Sequence, residues 1–152
     1  MNLLNSTEMR MIEIVGDIWE YQETAVIAIT TNGSLTRDGR AVIGRGVARQ
    51  AALSYPWLAE KLGSLLTERG NHVFCLGSSI VSFPVEETAW SLPDLRIIAR
   101  SAEELRTLSD QSGWGRVVVP RPGCGGGGLA WKEVQPLLAP WLDDRFIIIT
   151  TG

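Results

Sequence analysis

The chain has 152 residues, 45% of them hydrophobic and 20% charged, with a formal net charge of −3, which suits one domain with room for a real core. That mild acidity does not fit a dedicated nucleic-acid binder, which carries a basic face. Two cysteines, Cys75 and Cys124, and one histidine, His72, are too few for a disulfide framework or a zinc site and give little support to Ser-His or Cys-His catalysis.

Residues 1–10 read as an N-terminal extension, and a single domain is expected over residues 11–152. Met11 to Val15 is a first predicted strand, and Ala25 to Thr30, rich in β-branched residues, a second. The polar stretch from Thr31 to Ile43, with turn signals at Asn32-Gly33 and Asp38-Gly39, is long for a plain connection and therefore a candidate functional loop. Gly46 to Leu53 and Trp57 to Arg69 read as helices divided at Tyr55-Pro56, and Gly70-Asn71 ends the second. Strands follow at His72 to Leu76 and Ile80 to Phe83. Ala102 to Ser109 has helical spacing with Leu105 and Leu108 facing inward. Arg116 to Val119 is a strand, Ala130 to Leu142 a helix, and Arg145 to Thr150 a last strand. No apolar run approaches the roughly 20 residues of a membrane span, and the first residues lack a signal-peptide core, so the expected location is the cytoplasm.

This alternation predicts an α/β domain with a mostly parallel central sheet covered on both faces, and a ligand beyond the carboxyl ends of its strands. Three unusual loops then share one edge: Gly16-Asp17-Ile18-Trp19, the stretch after Thr30, and Pro120 to Leu129. The last holds five glycines in the six positions Gly123 to Gly128. Backbone N–H groups approach an anion closely where no Cβ intervenes, and a helix starting at Ala130 would add its positive end. The loop lacks the Gly-Lys-Ser/Thr ending of a Walker motif. Cys124 has two readings, a thiol activated by that helix or a small packed residue.

Read in order, these loops resemble those of the macrodomain family. Val15-Gly16-Asp17-Ile18 is similar to the family's Gly-Asp-Ile signature. Ile29-Thr30-Thr31-Asn32 followed by Gly44-Arg45-Gly46-Val47-Ala48 is similar to its asparagine segment and first ligand loop. Pro120-Arg121-Pro122-Gly123-Cys124-Gly125, leading to Gly128-Leu129 and Trp131, looks like the second loop, in the form found in terminal ADP-ribose protein glycohydrolases and DNA ADP-ribosyl glycohydrolase antitoxins. Small stand-alone macrodomains of bacteria and phages are closer still. The resemblance covers about Met11 to Phe146.

It implies a three-layer α/β/α sandwich with a mixed, mostly parallel sheet, binding ADP-ribose or an ADP-ribosylated protein, nucleic acid or small molecule as a monomer, with no metal, no other cofactor and no membrane partner. Asp17 would accept from the adenine amino group and the Ile18 N–H would face the same ring. Asn32 would orient the distal ribose and is the one candidate catalytic residue; otherwise it is the left-handed residue of an Asn-Gly turn. Gly44, Arg45, Gly46 and Val47 would meet the distal ribose and diphosphate from one side, and Gly123, Cys124, Gly125, Gly126, Gly127 and Gly128 from the other. Oriented amides let an acidic protein bind a dianion.

The catalytic positions of the resembling branches are not matched. Where some carry an aspartate soon after the first-loop valine, Val47 is followed by Ala48. Where others use a second-loop aspartate, this chain has Gly126 and Gly127. The antitoxin lysine after Phe-Pro has Glu86 in its place, after Phe83-Pro84-Val85, with Glu87 beside it. Three readings stay open: a hydrolase of an ADP-ribose derivative (an ADP-ribosyl glycohydrolase or an ADP-ribose 1''-phosphate phosphatase), which is the expectation; a non-catalytic reader or scavenger of ADP-ribose; and a binder of another nucleotide.

Overall fold

The computed structural model describes residues 10–151, so the expected extension at residues 1–10 lies outside the described residues except for Arg10. Six strands, β1 (Ile12–Val15), β2 (Val26–Thr31), β3 (Cys75–Gly77), β4 (Ile80–Pro84), β5 (Val117–Pro120) and β6 (Phe146–Thr150), form one sheet in the order β1-β6-β5-β2-β4-β3. All pairings are parallel except that of β3 with β4. Four α-helices connect them: α1 (Gly46–Ser54), α2 (Leu58–Arg69), α3 (Leu95–Ser112) and α4 (Trp131–Leu138), with a short 3-10 turn at Ile18–Tyr21.

The period-2 alternation of strand side chains divides the core into two layers. Ile27, Ile29, Val118, Ile147 and Ile149 pack with α1 and α2 residues such as Ala51, Leu58 and Leu62. Ala28, Val81, Phe83, Val117, Val119 and Ile148 pack on the opposite face with Ile98, Ala102 and Leu105 of α3 and Val134 and Leu138 of α4. A sheet apolar on both faces needs both helical layers, which gives the α/β/α sandwich. No described helix is long and apolar enough to cross a membrane.

Two helices differ from their sequence reading. The third starts seven residues before Ala102, because Asp94 accepts the Arg96 N–H at 2.8 Å as its N-cap and Ile98 and Ser101 extend the buried stripe; Gly113, left-handed at φ 70°, ends it. The fourth is shorter than Ala130 to Leu142: the helix ends at Leu138 with Ala139 as its C-cap, donating to Gln135 O at 3.0 Å, and the chain runs on as a turn through Pro140, which has no N–H to give. The strand expected at His72 to Leu76 is the short edge strand β3, which pairs with β4, and residues 72–74 before it are not strand.

Candidate functional site

Because β1, β2, β4, β5 and β6 run parallel, their carboxyl ends share one edge, and the segments leaving all five line one open cleft of about 1250 Å³. This volume suits a nucleotide-sized ligand. The cleft wall includes Asp17 and Ile18 after β1, Asn32 after β2, Gly44 to Ala48 at the start of α1, Val85 and Glu86 after β4, Arg121 and Gly123 to Gly127 after β5, and Thr151 after β6. Every site residue expected from the sequence is therefore brought to one place except Gly128. That glycine, at φ 81°, closes a turn by donating its N–H to Gly125 O at 3.2 Å and is not part of the wall.

The two glycine-bearing walls are built differently. At the first, Asn32 braces the loop: its Nδ2 donates to Val42 O at 3.1 Å and its Oδ1 accepts the Ser34 N–H at 2.9 Å. Asn32 has no positive φ, so the left-handed turn reading is corrected; the Asn-Gly pair works through the asparagine side chain. Gly33 is required by close approach, since a Cβ there would lie 2.8 Å from Glu87 O, the atom its N–H donates to. Arg45 then precedes α1 with no side chain capping that helix. Among the described residues, no protein acceptor takes the N–H groups of Gly46, Val47 or Ala48.

At the second wall, Leu129 donates to Gly123 O at 2.9 Å and folds the loop back on itself. Gly123 and Gly127 are packed: a Cβ on Gly127 would lie 2.6 Å from Pro93 Cγ and 2.7 Å from Gly123 O. Gly125 and Gly126 are open, and the atoms nearest a Cβ on Gly126 belong to the Arg45 side chain, beginning with Nη1 at 3.6 Å. The N–H groups of Gly125, Gly126 and Gly127 have no protein acceptor among the described residues. The sequence reading placed a helix start behind this loop, yet Ala130 at the head of α4 already donates to Glu133 Oε2 at 3.3 Å, and the uncapped helix start facing the cleft is that of α1.

Cys124 is half-buried, its Sγ 3.5 Å from Pro122 O as donor, and burial pushes its thiol above the ordinary value despite Arg121 nearby. This is the packed residue of the two readings, not an activated nucleophile. Asp17 is exposed, and its Oδ1 accepts the Trp19 N–H at 3.0 Å, which caps the 3-10 turn, while Oδ2 meets no donor among the described residues. The Ile18 side chain is buried.

The structure also brings in residues the sequence did not assign to the site. Glu86, which stands in place of the antitoxin lysine, is 6% exposed, and its Oε2 has no hydrogen-bond partner among the described residues. Burial raises its pKa and Arg45, with Nη2 at 3.7 Å, opposes that rise; the net direction is up. Glu87 is exposed. Arg121 lies across the cleft with its guanidinium 4.9 Å from the Trp131 ring centre, and Trp131 Nε1 donates to Glu13 at 2.7 Å. Trp90, 84% exposed, stands on the rim. The strand Ile80 to Phe83 was legible, so the edge position of the loop after it was the signal for Glu86. Among the described residues no three His, Cys, Asp or Glu side chains gather to hold a metal ion.

The backbone defines a class of protein. It superposes on the macrodomain of Mycobacterium tuberculosis DarG with a TM-score of 0.77 at 20% identity, covering 93% of this chain and 98% of that one. Thermosipho africanus DarTG, solved in complex with ADP-ribose, matches with a TM-score of 0.72 at 16% identity over 92% of this chain and 43% of that one. A macrodomain protein from Streptomyces coelicolor matches with a TM-score of 0.63 at 14% identity over 93% and 99%. No protein-family model matches the sequence, and neither does any curated protein sequence. The chain has the macrodomain fold.

Proposed function

We propose that the cleft binds ADP-ribose and that the chain hydrolyses an ADP-ribose derivative. The observation that carries the binding is the pair of facing walls with free N–H groups, Gly46 to Ala48 on one and Gly125 to Gly127 on the other. Oriented amides of this kind hold a diphosphate without a large positive net charge. Two guanidiniums, Arg45 and Arg121, add charge within the cleft. The likeness to a DarTG solved with ADP-ribose supports the same ligand. In this reading Asp17 and the Ile18 N–H take the adenine, and Asn32, held by its own loop bonds, meets the distal ribose.

Titration calorimetry with ADP-ribose tests the binding, and no binding at millimolar ligand would sink it. Hydrolysis is tested by mass spectrometry of products from ADP-ribosyl protein, ADP-ribosyl DNA and ADP-ribose 1''-phosphate. Ala48, Gly126 and Glu86 stand where the resembling branches carry their catalytic groups, which favours a non-catalytic reader as the second reading. A protein that binds ADP-ribose yet converts none of these substrates at stoichiometric amounts is that reader. Asn32→Asp keeps the acceptor that braces Ser34 and loses a donor, so a hydrolase should lose turnover by more than it loses affinity.

A further inference from the structure

Glu86 is the only charged residue in the buried class among the described residues, and it lines the cleft. Among the described residues its sole ion-pair partner within 4.0 Å is Arg45, at a separation too long for a hydrogen bond. The other charged groups around it are engaged elsewhere. On α3 and just before it, Asp94 pairs with Arg96 at 3.3 Å, and Glu104 takes His72 at 2.8 Å and Arg100 at 3.6 Å. Arg100 also donates to Asn71 O, whose own Nδ2 donates to Glu86 O. Glu87 is exposed, and Arg121 across the cleft stands 3.8 Å from Glu13.

Arg45 is poised to leave. Its side chain is 61% exposed, and its Nη1 would be 3.6 Å from a Cβ on Gly126, so the guanidinium spans from the buried carboxylate to the open glycine wall. A diphosphate lying along that wall offers Arg45 bidentate, charge-assisted hydrogen bonds that Glu86 does not. Once Arg45 turns to the phosphates, Glu86 is a buried carboxylate without a counter-charge, facing a second anion, and both conditions favour its neutral form.

We propose that Glu86 is the proton donor of the cleft and that the diphosphate of the ligand arms it by drawing Arg45 away. The inference rests on the ADP-ribose reading above. Val85 donates its N–H to Thr31 O at 3.0 Å, which sets the Glu86 segment beside that of Asn32, where the ADP-ribose reading places the distal ribose. The bond from C1'' to the leaving oxygen or nitrogen breaks with its electron pair moving to that atom, which takes the Glu86 proton. Water adds to C1'', and the proton it sheds returns to Glu86. A buried acid at this end serves leaving groups that must be protonated and disfavours a phosphate dianion. The substrates are therefore O- or N-glycosidic ADP-ribosyl conjugates rather than ADP-ribose 1''-phosphate.

The test is calorimetry of the full chain with ADP-ribose at mildly acidic pH, in buffers of low and high ionisation enthalpy. Net proton uptake is expected for the wild type, none for Glu86→Gln, and a reduced uptake for Arg45→Ala, whose exposed side chain can be removed without disturbing the core. Turnover of a conjugate by Glu86→Gln should fall by roughly 10²- to 10⁴-fold, and the decline of activity at high pH should disappear with it. Equal uptake by wild type and Glu86→Gln, or binding by the wild type without uptake, overturns the proton donor. Unchanged uptake in Arg45→Ala overturns the role of the diphosphate. Failure of the wild type to bind ADP-ribose at all is a separate result, which overturns the ADP-ribose reading itself.

Discussion

Asp17 caps the turn at Ile18–Tyr21 with one oxygen and lines the cleft. Asp17→Asn keeps an acceptor for the Trp19 N–H but turns the other atom into a donor, which cannot accept from an adenine amino group. Its affinity for ADP-ribose should fall by about 1.5–3 kcal/mol, while ribose 5-phosphate binding and thermal stability stay near wild type. Asp17→Ala should lose a further ~1 kcal/mol of stability as the cap goes. Calorimetry on both ligands with a melting curve separates the two roles, and equal losses for both ligands would make Asp17 structural. Glu86 gives a pH signature in the free protein. A carboxyl whose pKa rises on folding holds its proton more tightly when folded, so stability falls as pH climbs from the ordinary carboxylate value through the raised one. Glu86→Gln removes that penalty. It should melt higher than wild type at neutral pH, by a margin that shrinks below about pH 4. The burial of Glu86 was not legible from residue type alone: a loop glutamate is ordinarily solvated, and its 6% exposure comes from tertiary packing between segments distant in sequence, Asn71 among them through its bond to the Glu86 carbonyl.

The glycine loop, as an element, divides into positions that fit the fold and positions that fit a ligand. Gly126→Val adds a side chain into open cleft where the Arg45 side chain lies nearest, so ADP-ribose binding should be abolished with the melting temperature kept. Gly126 is not at positive φ, so the block is steric alone. Gly127→Val drives Cβ into Pro93 and the Gly123 carbonyl and should lower the melting temperature instead. Normal binding by Gly126→Val would show that the second loop does not cradle phosphate. These elements were largely readable because glycine runs and β-branched strands carry local signals. The first two turns of α3 were not, since the cap at Asp94 follows Pro93 and the run Leu95-Arg96-Ile97-Ile98 reads equally as strand. The free helix start at α1 was hidden for a related reason: nothing in Gly44-Arg45-Gly46 announces an uncapped terminus, whereas Glu133 three residues after Ala130 does signal an occupied one.

At the scale of the whole molecule, the end of the chain opposite the cleft is tied by charge. Arg145, entering β6, donates to Asp143 at 3.0 Å and to Asp110 of α3 at 2.7 Å, and Arg106 of α3 reaches Asp110 at 3.0 Å. Burial pushes the Asp143 carboxyl up, but hydrogen bonds from Arg145 outweigh it and the net direction is down; Asp110 is lowered chiefly by Arg145. A carboxyl lowered on folding adds stability that is present above its unfolded value near 3.9 and is lost as pH falls through the folded one. Arg145→Ala should therefore unfold at a lower urea concentration than wild type at neutral pH, with the gap to wild type closing below about pH 3. A constant gap would mean the arginine acts through packing. The single sheet and its two helical layers were legible from the alternation of elements, but ties between Asp110 and Arg145 span too much sequence for spacing to reveal. At the other end, Trp90 stands in water on the rim while Trp131 lies inside the cleft with its indole nitrogen bound to Glu13. An aromatic base or sugar entering between them removes water from an indole that is otherwise almost fully wetted. The molecule thus carries its own optical gauge: a blue shift in native fluorescence on occupancy, smaller in Trp90→Phe, would report a filled cleft in a cuvette without label or substrate turnover.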